Sequence, residues 1–228
     1  IVSAIPMADG SMDTIAAVAT AHGLGAIAVL RVSGPGARDI AQRLAGKRRL
    51  RLQPRTAELV RMKDSGGHEV DQALLTFFPS PRSFTGEDVL EISCHGGYAT
   101  VRAALAAVLQ TGARPAEPGE FTRRAFLNGK MDLAQAEAVN QLIRARTGVQ
   151  LTAARQTLDG ALSRRIHQAA AALTEVAAAL EASIDFPEDV DEPDRAQTAT
   201  ALDNAAEAIR STMELAQRGQ MLSAGIRM

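Results

Sequence analysis

The sequence predicts an α+β domain followed by an all-α domain, and three observations carry that reading. Up to about residue 130, short β-branched segments alternate with Gly and Pro punctuation. Beyond it, apolar residues recur in steps of three and four, the period of a helix face. Where the pattern changes, turn, cap and basic residues crowd into Arg114 to Ala138, RPAEPGEFTRRAFLNGKMDLAQAEA.

In chain order, 14–20 (TIAAVAT) and 26–32 (AIAVLRV) read as strands, and 36–45 as a helix. Strands follow over 55–62, 70–78 and 88–93, then a helix over 99–110, opened by the turn Gly96-Gly97. The order is β-β-α-β-β-β-α, with strands in the majority, hence α+β. Pro118-Gly119 is a turn, 121–127 reads as one or two helical turns, and Gly129 is a helix stop. Asp132 with Gln135 three residues on fits a capping box. One helix then carries apolar residues at 133, 136, 139 and 143. A second carries Leu158, Leu162, Ile166, Ala169, Leu173, Val176, Leu180 and Ile184, with a kink or break expected at Gly160. Pro187 and the acidic run EDVDEPD end it. A third has Leu202, Ala206, Ile209, Met213 and Ala216 on one face, and the short link sets it antiparallel to the second. The expected domains are 12–128 and 129–228. Gly10-Ser11-Met12 reads as a cloning junction, so residues 1–11 are set aside as an expression leftover and Met12 is the expected start.

Composition removes several function classes. Apolar residues are 46% and charged residues 22% of 228, ordinary for a globular protein. Aromatics are 3%, with no Trp, so the cores must be aliphatic. With 25 basic and 26 acidic side chains, the chain lacks the broad cationic field of a non-specific nucleic-acid binder. A single cysteine, Cys94, excludes an internal disulfide and a multi-cysteine zinc site, and a reducing cytoplasm is the simplest setting. No run reaches the roughly 18 apolar residues of a membrane span, and the N-terminus lacks a secretory pattern.

Catalytic motifs are also missing. Gly46-Lys47 is followed by Arg48, and Gly129-Lys130 by Met131, so neither is a P-loop. Cys94 and His95 are adjacent in a strand and should face opposite ways, which does not suit a thiol nucleophile and its base. Three segments remain. Arg31 interrupts an apolar strand, so it either meets a partner or ligand or snorkels at an edge. In Ser83 to Ile92, SFTGEDVLEI, alternation turns Glu91 away from the face of Leu90 and Ile92. Lys130 stands at the junction of the two halves. Arg123 and Arg124 read as exposed or at a domain interface.

SFTGEDVLE, HGG, RPAEPGEFTRRAFLNGKMDLAQAEAV and IDFPED, in that order, resemble the tRNA modification GTPases called MnmE or TrmE. The likeness covers most of 12–228. It implies an N-terminal domain similar to folate-binding aminomethyltransferase domains, a mixed sheet or partial barrel with two helices. That domain would bind 5-formyl-tetrahydrofolate and form a homodimer. It also implies a helical domain interrupted by a Ras-like GTPase domain that uses GTP, magnesium and potassium. A flavin-dependent partner and the wobble uridine of certain tRNAs complete the system, in the cytoplasm and away from membranes.

The resemblance assigns cofactor contacts to Arg31, Glu91 and Lys130, with no catalytic residue and no metal ligand. A carboxylate such as Glu91 suits the paired N–H groups of a pterin edge, and Arg or Lys suits the folate tail. The loop Ala21-His-Gly-Leu-Gly-Ala26 departs from the Gly-Arg-Gly-Gly pattern of the family. The chain is expected to stop at 223–228, where the first GTPase strand would begin, without the later helices, the cysteine motif and one further folate ligand. Residues 1–228 should therefore not hydrolyse GTP. The alternatives are a dimerisation scaffold without folate and a stand-alone folate-dependent aminomethyl or formyl transferase.

Overall fold

The structure, a computed structural model, describes residues 13–46 and 50–224, the last ten as backbone only. The expected leftover at 1–11, the start at Met12 and the side chain of Ala216 lie outside the described residues. The chain divides into two compact units between Met131 and Asp132.

The first unit is a six-stranded sheet with helices: β1 (Ile15–Val18), β2 (Ile27–Ser33), α1 (Ala37–Leu44), β3 (Ala57–Lys63), β4 (Glu69–Phe78), β5 (Val89–His95), α2 (Tyr98–Gln110), β6 (Arg114–Pro115) and α3 (Glu120–Leu127). The strand order is β3-β4-β5-β2-β1-β6, so β3 and β6 are the edges. Pairing is antiparallel except for the short β1–β6 contact. Period-two alternation builds the core. Leu30 and Val32, Leu75 and Phe77, and Leu90 and Ile92 turn to one face and are fully buried. Onto that face α1 brings Ala37, Ile40, Ala41 and Leu44, one stripe at steps of three and four. Helix α2 adds Ala104, Ala107 and Val108. Each large side chain buried there contributes about 1.5–3 kcal/mol.

Two features lock the β1–β2 end. Gly34 follows β2 at φ +129°, and a Cβ there would lie 2.6 Å from the Asp13 carbonyl oxygen. Only glycine lets the chain pass that close. Beside it, Ile15, Ser33 and Val89 form one register row on the face opposite the main core and are buried too.

The second unit contains α4 (Leu133–Arg144), α5 (Gly148–Leu158), α6 (Ala161–Asp185) and α7 (Arg195–Ala224). The capping box at Asp132 and Gln135 is formed in both directions. Gln135 also donates from Nε2 to the Leu158 carbonyl at 2.8 Å. The stripe predicted at 133, 136, 139 and 143 is not the inward one: Leu133 and Ile143 are exposed and Ala138 is buried. The more buried side of the helix is that of Ala134, Ala138 and Leu142. At Gly160 the chain breaks: φ is +79° and a new helix starts there. The helix before it, α5, has no clear sequence stripe and buries only Ala154. Helices α6 and α7 pack along each other across the link 186–194, which makes them antiparallel. No helix among the described residues is long and apolar enough to cross a membrane.

Candidate functional site

The site grows out of the β2–β5 ladder. Arg31 and Glu91 are register partners, with Ala17 and Thr76 completing the row on β1 and β4. Strand β2 is interior, so Arg31 is no edge residue. It sits on the face opposite Leu30 and Val32, and Glu91 opposite Leu90 and Ile92, as alternation requires. The guanidinium donates from Nε and Nη2 to one carboxylate oxygen, Oε1 of Glu91, at 3.1 and 2.7 Å. Its carbon lies 4.9 Å from the centre of the Phe84 ring and 5.9 Å from that of Phe121, within cation–π range. The two side chains keep 26% and 29% of their surface exposed. A pair this open adds at most about 1 kcal/mol to stability. It is better suited to meeting a ligand than to holding the sheet.

Lys130 is not brought against this pair. It follows the end of α3, where its amide donates to the Ala125 carbonyl and that of Gly129 to Phe126, a Schellman arrangement. Its Nζ donates to the Pro81 carbonyl at 3.1 Å. Pro81 and Phe84 share the loop 79–88, so that loop is what Lys130 and Arg31 have in common.

The expectation for Arg124 is corrected. Arg123 is exposed, with Glu117 at 3.3 Å, but Arg124 is buried inside the first unit. Its Nη2 donates to Asp13 Oδ1 at 2.6 Å and Glu120 Oε1 at 3.1 Å, and its Nη1 reaches both oxygens of Glu87. Arg114 meets the same carboxylates, with a fork onto Glu120 at 2.6 and 2.9 Å and a bond from Nε to Asp13. Glu87 also accepts from Ser33 Oγ at 2.7 Å, and Ser33 shares a 2.6 Å hydrogen bond with Thr85. Arg114 holds the Glu120 carboxyl down at about 2, against the opposing effect of burial. Burial would lower the Arg124 guanidinium, but its bonds to Asp13 and Glu120 raise it above its ordinary value. Glu120 and Arg124 are buried and Asp13, Glu87 and Arg114 half-buried, so the cost of breaking the cluster is concentrated at Glu120 and Arg124.

The sequence reading singled out the segments that hold Glu87, Arg114, Glu120 and Arg124, but it gave none of them, nor Asp13, a contact at the site. One signal was available. Glu120 and Arg124 on α3 and Asn128 at its C-cap stand at steps of four, and Asn128 donates to the Thr85 carbonyl at 2.7 Å. A polar stripe on a short helix asks for buried partners.

The other reactive pair separates as expected. Cys94 is buried and His95 exposed. His95 Nδ1 lies 2.7 Å from Asp71 Oδ1, and its amide donates to Oδ2 at 2.8 Å. Burial, with the Asp71 charge, raises the Cys94 thiol, which makes it a poor nucleophile.

Residues 14–130 match the family described as GTP-binding protein TrmE N-terminus, and residues 133–227 match the MnmE helical domain. The chain is 49% identical over 216 residues to the tRNA modification GTPase MnmE of Akkermansia muciniphila, an overlap of 94% of this chain and 48% of that protein. To the protein of the same name from Azoarcus sp. it is 45% identical over 215 residues, 94% and 47% of the two chains. To that of Heliobacterium modesticaldum it is 47% identical over 222 residues, again 94% and 47%. The chain spans about half the length of the curated relatives it matches.

Proposed function

The chain belongs to the TrmE N-terminal family, with an MnmE helical domain behind it, and on that premise we propose that its first unit binds 5-formyl-tetrahydrofolate through Arg31, Glu91 and Lys130. The observation that carries this reading is the open Arg31–Glu91 pair beside two phenylalanine rings. Those residues fit the group by their chemistry. A carboxylate offers about four acceptor positions, and Arg31 engages a single oxygen of Glu91. A pterin edge, with adjacent N–H donors, is a ligand for the remainder. Phe84 and Phe121 are apolar surfaces for a flat ring, and Lys130 is a cation for the carboxylate tail. When bound, the folate supplies a one-carbon unit.

The wider role follows from the relatives, each named a tRNA modification GTPase. This chain would serve the modification of tRNA, at the wobble uridine, in the cytoplasm and beside a flavin-dependent partner. GTP, magnesium and potassium would act through sequence other than residues 1–228, which contain no P-loop. Homodimerisation belongs to the same proposal. Leu59 and Leu74 face each other in register on the open side of β3 and β4, 64% and 42% exposed. This apolar pair is where a second copy of the chain would dock.

Calorimetric titration with 5-formyl-tetrahydrofolate tests the cofactor claim. Saturable binding is expected, and Glu91→Ala should weaken it at least tenfold, about 1.4 kcal/mol. Asp88→Ala is a poor control, because Asp88 Oδ1 accepts from the Ser80 amide in the loop over the site. Arg61→Ala, a surface change, is the better one. No saturable heat from wild type in its dimeric form would leave the scaffold reading, which the exposed Leu59–Leu74 pair favours. Sedimentation without ligand should show a dimer that Leu59→Glu dissociates.

A further inference from the structure

The ion cluster around Arg124 has a geometry that reaches the candidate site. Loop 79–88 carries Phe84, whose ring lies against the Arg31 guanidinium, and the same loop carries Thr85 and Glu87 one and three residues later. Thr85 is fully buried, hydrogen-bonded to Ser33 through its hydroxyl and to Asn128 through its carbonyl. Glu87 is held from two sides, by Ser33 at the end of β2 and by Arg124 on α3. Arg124 is fixed in turn by Asp13 and Glu120. Helix α3 supplies the second ring as well, since Phe121 adjoins Glu120 on it. Both rings beside Arg31 are thus mounted on segments that the cluster ties together.

We propose that Glu87 and Arg124 are positioning residues for the Arg31–Glu91 site, holding Phe84 on the Arg31 guanidinium so that the ion pair meets its ligand preorganised. The proposal rests on the folate reading above. Neither residue touches the ion pair in the structure; they act through the loop and the helix. Preorganised neighbours raise affinity by removing the ordering cost of binding. The charge-assisted bonds to Arg124 suit that task, because its two terminal nitrogens are held by three carboxylates from different segments at once.

The chain has no tryptophan, so Phe84→Trp places a single fluorescent reporter in the loop. In that background, Glu87→Gln and Arg124→Lys should each raise acrylamide quenching of the reporter indole about twofold without ligand, while circular dichroism stays unchanged. In the wild-type background the same two substitutions should weaken 5-formyl-tetrahydrofolate at least fivefold. Arg210→Ala, far along α7, should move neither reading. Unchanged quenching and unchanged affinity in a folded Glu87→Gln protein would overturn the positioning role. If Glu87→Gln fails to fold, Arg124→Lys decides by the same two readings. Wild type that binds no folate would sink the site itself, and the positioning role with it; wild type that binds while the variants bind equally would sink only the positioning role.

Discussion

The two units of this chain solve burial differently. In the first, Leu30, Leu75, Phe77, Leu90 and Ile92 are fully buried between sheet and helices. In the second, the buried apolar side chains among the described residues are the alanines 138, 154, 169 and 205. Leu173, Leu180, Leu202 and Ile209 there remain 40–42% exposed, and Ile166 and Ile184 more so. The comparison teaches that a helical period in a sequence marks an apolar face but does not tell what covers it. A sheet carries its own covering helices close by in sequence, whereas a long helix can present its stripe to any neighbour.

The widest gap should appear on truncating one large side chain in each unit. Phe77→Ala removes a fully buried ring and should cost about 3–5 kcal/mol. Leu180→Ala removes a side chain that is 42% exposed and should cost only about 1–2 kcal/mol by the same burial argument. Denaturant midpoints for the two variants check this. Equal losses would mean that the stripe of α6 is covered in solution and that the two units bury their large side chains alike.

Acid should sharpen the contrast from the polar side. The folded Glu120 carboxyl lies at about 2, below its ordinary 4.5. A depressed carboxylate stabilises above its unfolded value, and that contribution is lost as pH falls from about 4.5 toward 2. The amount is on the order of 3 kcal/mol, all in the first unit. Glu120→Gln should flatten the acid limb of stability and lower the plateau at neutral pH, read by unfolding at pH 7, 4 and 2.5. An acid limb unchanged in that variant would remove Glu120 from the account.

The smallest effect lies at the break between α5 and α6. Gly160 holds φ at +79°, where an L side chain is strained by about 1–2 kcal/mol. Gly160→Ala should therefore destabilise the second unit alone by about that amount, seen as a lower helix melting temperature. A stabilised variant would mean that the break can straighten into one continuous helix.

Much of this was legible in the sequence because it is local. Alternation in 26–32 and 88–93 placed β2 and β5 and turned Glu91 off the core face. Asp132 and Gln135 announced the cap of α4. Strand β6 was not legible, since it is two residues long, includes Pro115 and exists only by pairing with β1. Arg31 and Glu91 were each named, but their 2.7 Å contact depends on a register across sixty residues of chain. The same limit hid the Arg124–Asp13 bond, which spans 111 residues. Local patterns report which side chains leave the core face, and only the fold reports which of them meet.

Hydrogen exchange of the chain with and without 5-formyl-tetrahydrofolate is the sharpest probe of ligand binding at the Arg31–Glu91 pair, because it reads both units at once. Binding at the Arg31–Glu91 pair should add protection in 27–33, 83–95 and 120–130, leave 133–224 unchanged, and disappear in Glu91→Ala. Protection centred on 133–224, or the same protection in Glu91→Ala as in wild type, would contradict it.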